Sequence, residues 1–289
     1  MPTDAASKAR RARRRNMAFV TVVLLVAATI LGAYGVEKVF VPKVTPAGCR
    51  IEVGSDTVTY APDQAQHAAT IVGIGRRRGL PPRAMTIALA TAMQESKLRN
   101  LDHGDRDSLG LFQQRPSQGW GTPAQLQDPV YATEKFYDHL VKVDGYLERP
   151  LTDVAQDVQR SGYPEAYAKH EARADFLTEA FTGAAPAAVT CRLDDATTAS
   201  SAPDLVGDLK TQLGVSTRAR GGHVTAVFQQ EATAWAAAHW AVAHADRAGI
   251  VAVSVGDRTW TRAMSRSAGE WALGTAGHKP TEIRIDLAP

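Results

Sequence analysis

The sequence predicts a mainly α-helical body behind one N-terminal transmembrane helix, followed by a second, smaller α/β domain. Three observations lead there. An uncharged run from Asn16 to Val36 directly follows an arginine cluster. Residues 61–184 carry apolar side chains at helical spacing, punctuated by prolines where helices open. After a small-residue, proline-bearing stretch at 183–203, helix and strand patterns alternate to the C-terminus.

The chain has 289 residues, 22% charged and 44% hydrophobic, which are globular values. They exclude a mostly disordered chain, a fibrous repeat and a polytopic transporter. The formal net charge of +3 is badly distributed. Lys8, Arg10, Arg11, Arg13, Arg14 and Arg15 stand against Asp4, a local +5 that leaves −2 for everything after residue 15. The basicity belongs to a tail, so a nucleic-acid-binding body is excluded.

The run MAFVTVVLLVAATILGAYGV, from Met17, spans roughly 30 Å as a helix, the thickness of a bilayer's hydrocarbon core. Arginines directly before it put residues 1–16 in the cytoplasm as a basic tail. The expectation is a single-pass cell-membrane protein with helix 17–36, a stalk at 37–60 and an extracytoplasmic body. The competing reading is a cleavable signal peptide. Its apolar region is usually only about 7–15 residues, and Leu31-Gly32-Ala33 is a poor cleavage site.

Cys49 and Cys191 sit in similar contexts, GCRIEV and TCRLDD, on either side of the central region. Outside the membrane thiols oxidise, so the pair is expected as a disulfide closing a long loop. The alternative is two unpaired buried cysteines.

Ile51–Tyr60 accommodates one short strand. Helices follow over Asp63–Arg78, from Pro81-Pro82 to about Leu98, from Asp128-Pro129 to about Val143, over Leu151–Arg160 and over Pro164–Phe181. Residues 61–184 thus read as a helical domain with one short β-like element. Residues 185–203 read as a linker. The remaining 204–289 reads as helix Asp204–Leu213, strand Val224–Phe228, helix Glu231–Ala248, strand Ile250–Val255 and strand Thr281–Leu287.

Met85, Ala88, Ala92 and Glu95 share one helix face, so Glu95 lies on the apolar stripe near the helix C-terminus. Apolar surroundings and the helix C-terminus both disfavour its anion and raise its pKa. A carboxyl group protonated near neutrality is what a general acid requires at a glycosidic oxygen. The bland reading is a solvated helix-end glutamate. Asp102, Asp105 and Asp107 follow in a loop, then Ser108-Leu109-Gly110-Leu111-Phe112-Gln113-Gln114.

Here the sequence resembles the lysozyme-like superfamily, in particular its soluble lytic transglycosylase and goose-type lysozyme group. Glu95-Ser96, the Ser108–Gln113 run, Asp128-Pro129 and the segment SGYPEAYAKHEA carry the resemblance, over residues 61–184. It implies a lysozyme-like helical domain that cleaves peptidoglycan glycan strands with no cofactor and no metal. Glu95 would be the general acid. Ser108 and Gln113 would hold the sugar, and Tyr163 or Tyr167 would supply the aromatic residue near the acid. The group's usual Ala-Tyr-Asn is Ala166-Tyr167-Ala168 here. Asp105 or Asp107 would be the second carboxylate of a hydrolase; the alternative is that both only shape turns. Trp120 reads equally as a sugar platform or a core plug.

The segment from Thr233 to Arg262 resembles C-terminal domains of some actinobacterial cell-wall proteins related to the zinc D-alanyl-D-alanine carboxypeptidase fold. Their metal-binding His-x-His strand would fall at Thr281–Asp286, which has no histidine. His223, His239 and His244 do not assemble a zinc site. Residues 204–289 therefore read as an inactive relative, a docking module for a cell-envelope partner. The alternative for the whole chain is a non-catalytic wall-binding or assembly protein that keeps the cleft.

Overall fold

The computed structural model describes residues 17, 21, 22 and 46–289, except 161–163, 198–199, 265–269, 275–276 and 278. The apolar run at 17–36, read as the membrane span, lies outside the described residues apart from Met17, Thr21 and Val22. Among the described residues no helix is long and apolar enough to cross a membrane.

The expectation of a mainly α body is corrected. The structure is mixed α/β, 46% helix and 19% strand, with two antiparallel sheets. Strands β1 (Gly48–Val53) and β2 (Asp56–Tyr60) form a hairpin inside the expected stalk. One short strand was expected there, but Gly54 takes φ +59° in the two-residue turn and doubles the chain back. Helices α1 (Pro62–Arg77) and α2 (Pro82–Ser96) follow. Next come a one-turn helix α3 (Pro123–Leu126), α4 (Pro129–Leu140), α5 (Leu151–Gln159) and α6 (Glu171–Thr182). Prolines at the first turn of α1 to α4 cost no hydrogen bond there.

Strand β3 (Val189–Arg192) arises inside the expected linker and pairs with β1, closing the sheet in the order β2-β1-β3. Cys49 and Cys191 are directly opposed in that pairing and joined by a disulfide. The second sheet begins after α7 (Ala202–Leu213). Its strands are β4 (Arg218–Arg220) and β5 (His223–Val227), then, after helices α8 (Glu231–Ala243) and α9 (Ala245–Ala248), β6 (Ile250–Val255), β7 (Arg258–Thr261), β8 (Ala272–Leu273) and β9 (Glu282–Leu287). The order is β4-β5-β9-β6-β7-β8. Only three of the six were expected. β4, β7 and β8 are too short to show an alternating pattern.

Ala47–Pro289 is one compact unit. The reason lies in α8. From Ala234 to Ala243 every residue is buried and all but His239 are apolar, so the helix must be covered on all sides. It packs on α1 and α6 and also on β6 and β9. Polar side chains pin the same joint. His239 Nδ1 lies 2.9 Å from the Ala180 carbonyl, and its Nε2 accepts from the Ala188 N–H at 3.1 Å. Trp240 Nε1 donates to Gln212, and Arg76 donates to the Thr182 carbonyl and to Thr233. The outer edge of β3 is capped as well. Trp271 and Trp260 indoles donate to the carbonyls of Val189 and Cys191.

Candidate active site

Helix α2 carries Glu95 one residue from its end. Met85, Ala88 and Ala92 on the same face are buried, which draws the Glu95 side chain halfway out of solvent. Lys97 and Leu98 then take positive φ, 55° and 61°, and end the helix; the Leu98 N–H closes back on the Ala92 carbonyl. Ser96 is buried, and its hydroxyl donates to the Leu111 carbonyl at 2.7 Å. That bond ties the 108–114 segment to the helix that carries the carboxyl group.

The segment folds as a small β-like loop, with bridges Leu101↔Gly110 and Leu109↔Gln114. Its apolar residues Leu111 and Phe112 are buried, and Phe112 stacks on Phe136 of α4 at 4.6 Å. Gln113 takes φ 49°, and its amide donates to the carbonyls of His103 and Gly110, both at 3.2 Å. The loop needs glycine at position 104: a Cβ there would stand 1.9 Å from Gln113 Oε1 and 2.8 Å from the Ser108 carbonyl oxygen.

These elements wall a groove of about 500 Å³. Glu95, Ser108, Gln113, Gln114, Trp120 and Gln159 line it, with Asp105, Arg106, Arg115 and Arg160 among its charged residues. The Tyr167 hydroxyl donates to Glu95 Oε1 at 2.6 Å, and Gln159 also hydrogen-bonds the carboxyl group. Burial pushes the Glu95 pKa above the usual carboxylate range, and the bonds from Tyr167 and Gln159 pull it partly back. The arrangement is a carboxyl group inclined to keep its proton, held in one orientation at an open polar groove.

No protein-family model matches this chain, and no curated protein matches its sequence significantly.

The structure brings Glu95, Ser108, Gln113 and Tyr167 together. Tyr163 lies outside the described residues. The two aspartates separate. The Asp105 side chain is 89% exposed, near Arg106 at 3.9 Å. Asp107 does not line the groove. It accepts from the Ser117 N–H at 2.8 Å and from Arg115 at 2.7 Å, and these bonds hold its carboxyl well below the usual range. Trp120 is 7% exposed, stacks on His139 at 4.1 Å and still borders the groove.

Sequence reasoning missed Gln159 and Arg160, at the end of α5. No local pattern marks them. Gln159 gains its role only because its amide reaches both the Phe112 carbonyl and Glu95. In the C-terminal part, β9 occupies the position read as a strand, with Glu282, Arg284 and Asp286 alternating against buried Ile283, Ile285 and Leu287. His239 and His244 are both buried with ring nitrogens engaged. Among the described residues no group of three or more metal-ligating side chains stands together. Val227 and Leu273 are the large exposed apolar side chains described in this part, on β5 and β8, which three other strands separate.

Proposed function

We propose that this protein cleaves peptidoglycan glycan strands, as a lytic transglycosylase or muramidase, with Glu95 as its general acid. One observation carries the reading: a half-buried carboxyl group with a raised pKa, hydrogen-bonded by Tyr167 and Gln159, opening on a polar groove large enough for sugar rings. The resemblance of Glu95-Ser96 and the Ser108–Gln113 run to the lysozyme-like superfamily points to the same substrate.

Glu95 gives its proton to the glycosidic oxygen as the bond from that oxygen to C1 breaks. The Tyr167 hydroxyl then stabilises the carboxylate left behind. In the transglycosylase route this carboxylate takes the proton of the sugar's own 6-hydroxyl, whose oxygen closes on C1. In the hydrolytic route a second carboxylate activates water instead. The engagement of Asp107 with Arg115 and Ser117 removes one of the two candidate second carboxylates and favours the route that needs one acid.

The same reading puts the body on the outer side of the cell membrane, anchored through residues 17–36. The Cys49–Cys191 disulfide supports an oxidising compartment. Peptidoglycan digested by the protein and read by mass spectrometry tests the whole proposal. Anhydro-sugar ends identify the transglycosylase and reducing ends the muramidase. Glu95→Gln should lower the rate by about 10²–10⁴-fold while the fold persists. If the unsubstituted protein binds glycan strands and cuts none, it is a wall-binding protein instead.

A further inference from the structure

The groove does not end at Trp120. A second cavity of about 360 Å³ adjoins it, lined by His139, Asp157 and Val158, and the two share Gln118, Trp120, Gln159 and Arg160. Gln159 bonds Glu95, so the next residue, Arg160, stands at the junction of the acid's chamber and its extension.

The charges around this cleft pair off except at that point. Asp107 binds Arg115 at 2.7 Å, Asp157 binds Arg149 at 2.8 Å, and Asp105 lies 3.9 Å from Arg106. Among the described residues no carboxylate pairs with Arg160. Its N–H donates to the Gln156 carbonyl, and its guanidinium acts on His139 as a like charge. The backbone there takes φ 52°, a left-handed conformation that a non-glycine residue adopts at a cost. That turn ends α5 and presents the side chain to both cavities.

Resting on the function proposed above, we propose that Arg160 reads an acidic substituent of the glycan. The second cavity then holds the part of the strand beyond the cut bond. The preferred substrate is a strand whose muramyl or peptide substituents keep a free carboxylate, in preference to one whose carboxylates are amidated. A guanidinium suits this task because its planar fork binds a carboxylate through two parallel hydrogen bonds.

The test measures binding to the full-length Glu95→Gln protein in detergent, so that nothing is cut. The probes are muramyl-peptide glycan fragments with free carboxylates and the same fragments amidated. The free acid should bind about tenfold tighter, the scale of one charge-assisted hydrogen bond, and the ratio should shrink as salt is added. In the Arg160→Met background the ratio should fall to near one, and in Arg160→Lys it should be intermediate. A melting curve establishes that each variant is folded. The ratio of kcat/KM values for the two substrates in protein that retains Glu95 should show the same preference. Equal binding of both fragments, or a preference that survives Arg160→Met, overturns the role of Arg160 and leaves the catalytic reading standing. Failure to bind or cut either fragment overturns both.

Discussion

The Tyr167 hydroxyl and the Glu95 carboxyl meet at 2.6 Å across 72 residues of sequence. The tyrosine is fully buried and donates to the charged form of the acid, so it opposes the effect of burial. Tyr167→Phe removes that donor and leaves the desolvation. The Glu95 pKa should rise further. A general acid works while protonated, so the alkaline limb of the pH–rate profile should move to higher pH. The maximal rate should fall about tenfold, because the carboxylate formed in the reaction loses its partner. An alkaline limb that stays in place or moves down would show that Tyr167 does not tune the acid.

Gly104 holds the Gln113 side chain in place by being absent from its path. Gly104→Ala puts a methyl group 1.9 Å from Gln113 Oε1, and the amide must leave. Activity should fall by about tenfold or more, through lost sugar contact, with only a modest drop in melting temperature, because residues 102–106 are exposed and the Ser108 carbonyl, 2.8 Å from the new methyl group, shifts with them. Steady-state kinetics beside a thermal melt separates this outcome from general unfolding.

The Cys49–Cys191 disulfide closes a loop of sequence separation 142. Reduction should cost up to about 5 kcal/mol in the chain-entropy account. For a body of this size that corresponds to a fall of up to about 10–20 °C in melting temperature. Cleavage at 25 °C should survive reduction, because Trp260 and Trp271 still hold the outer edge of β3. An unchanged melting temperature after reduction contradicts this account.

His239 is buried, and burial lowers its pKa to about 4. Its Nδ1–H donates to the Ala180 carbonyl, so Nε2 can accept from Ala188 only while the ring is neutral. Protonation would set one donor against another. The unfolded chain binds the proton near pH 6.5 and the folded chain only near 4. Stability is therefore fully present above 6.5 and lost as pH falls towards 4, by on the order of 3 kcal/mol from this residue. Urea unfolding at pH 7 and pH 4.5 should show the loss, and His239→Gln should diminish it. Equal pH dependence in the two proteins would remove His239 as the cause.

Some of this was legible along the chain, because it depends on neighbours three or four residues apart. The apolar stripe of α2 already carries Glu95 into partial burial, and the Ser108–Gln113 run marks the loop beside it. The prolines that open α2 and α4 were equally visible, whereas the one-turn helix α3 was not. The sheet that corrects the mainly α expectation was not. β3 is four residues long, reads as a linker, and becomes a strand because β1 and two tryptophan indoles satisfy its backbone. Joining the helical and α/β parts into one unit turned on α8. Apart from His239, its residues 234–243 are apolar on every face, but only the packed structure decides what covers each side. Gln159 and Arg160 make the same point at the site. Nothing within a few residues of either sets it apart, and α5 brings them to Glu95 only because its own apolar face must be buried against the helices around it.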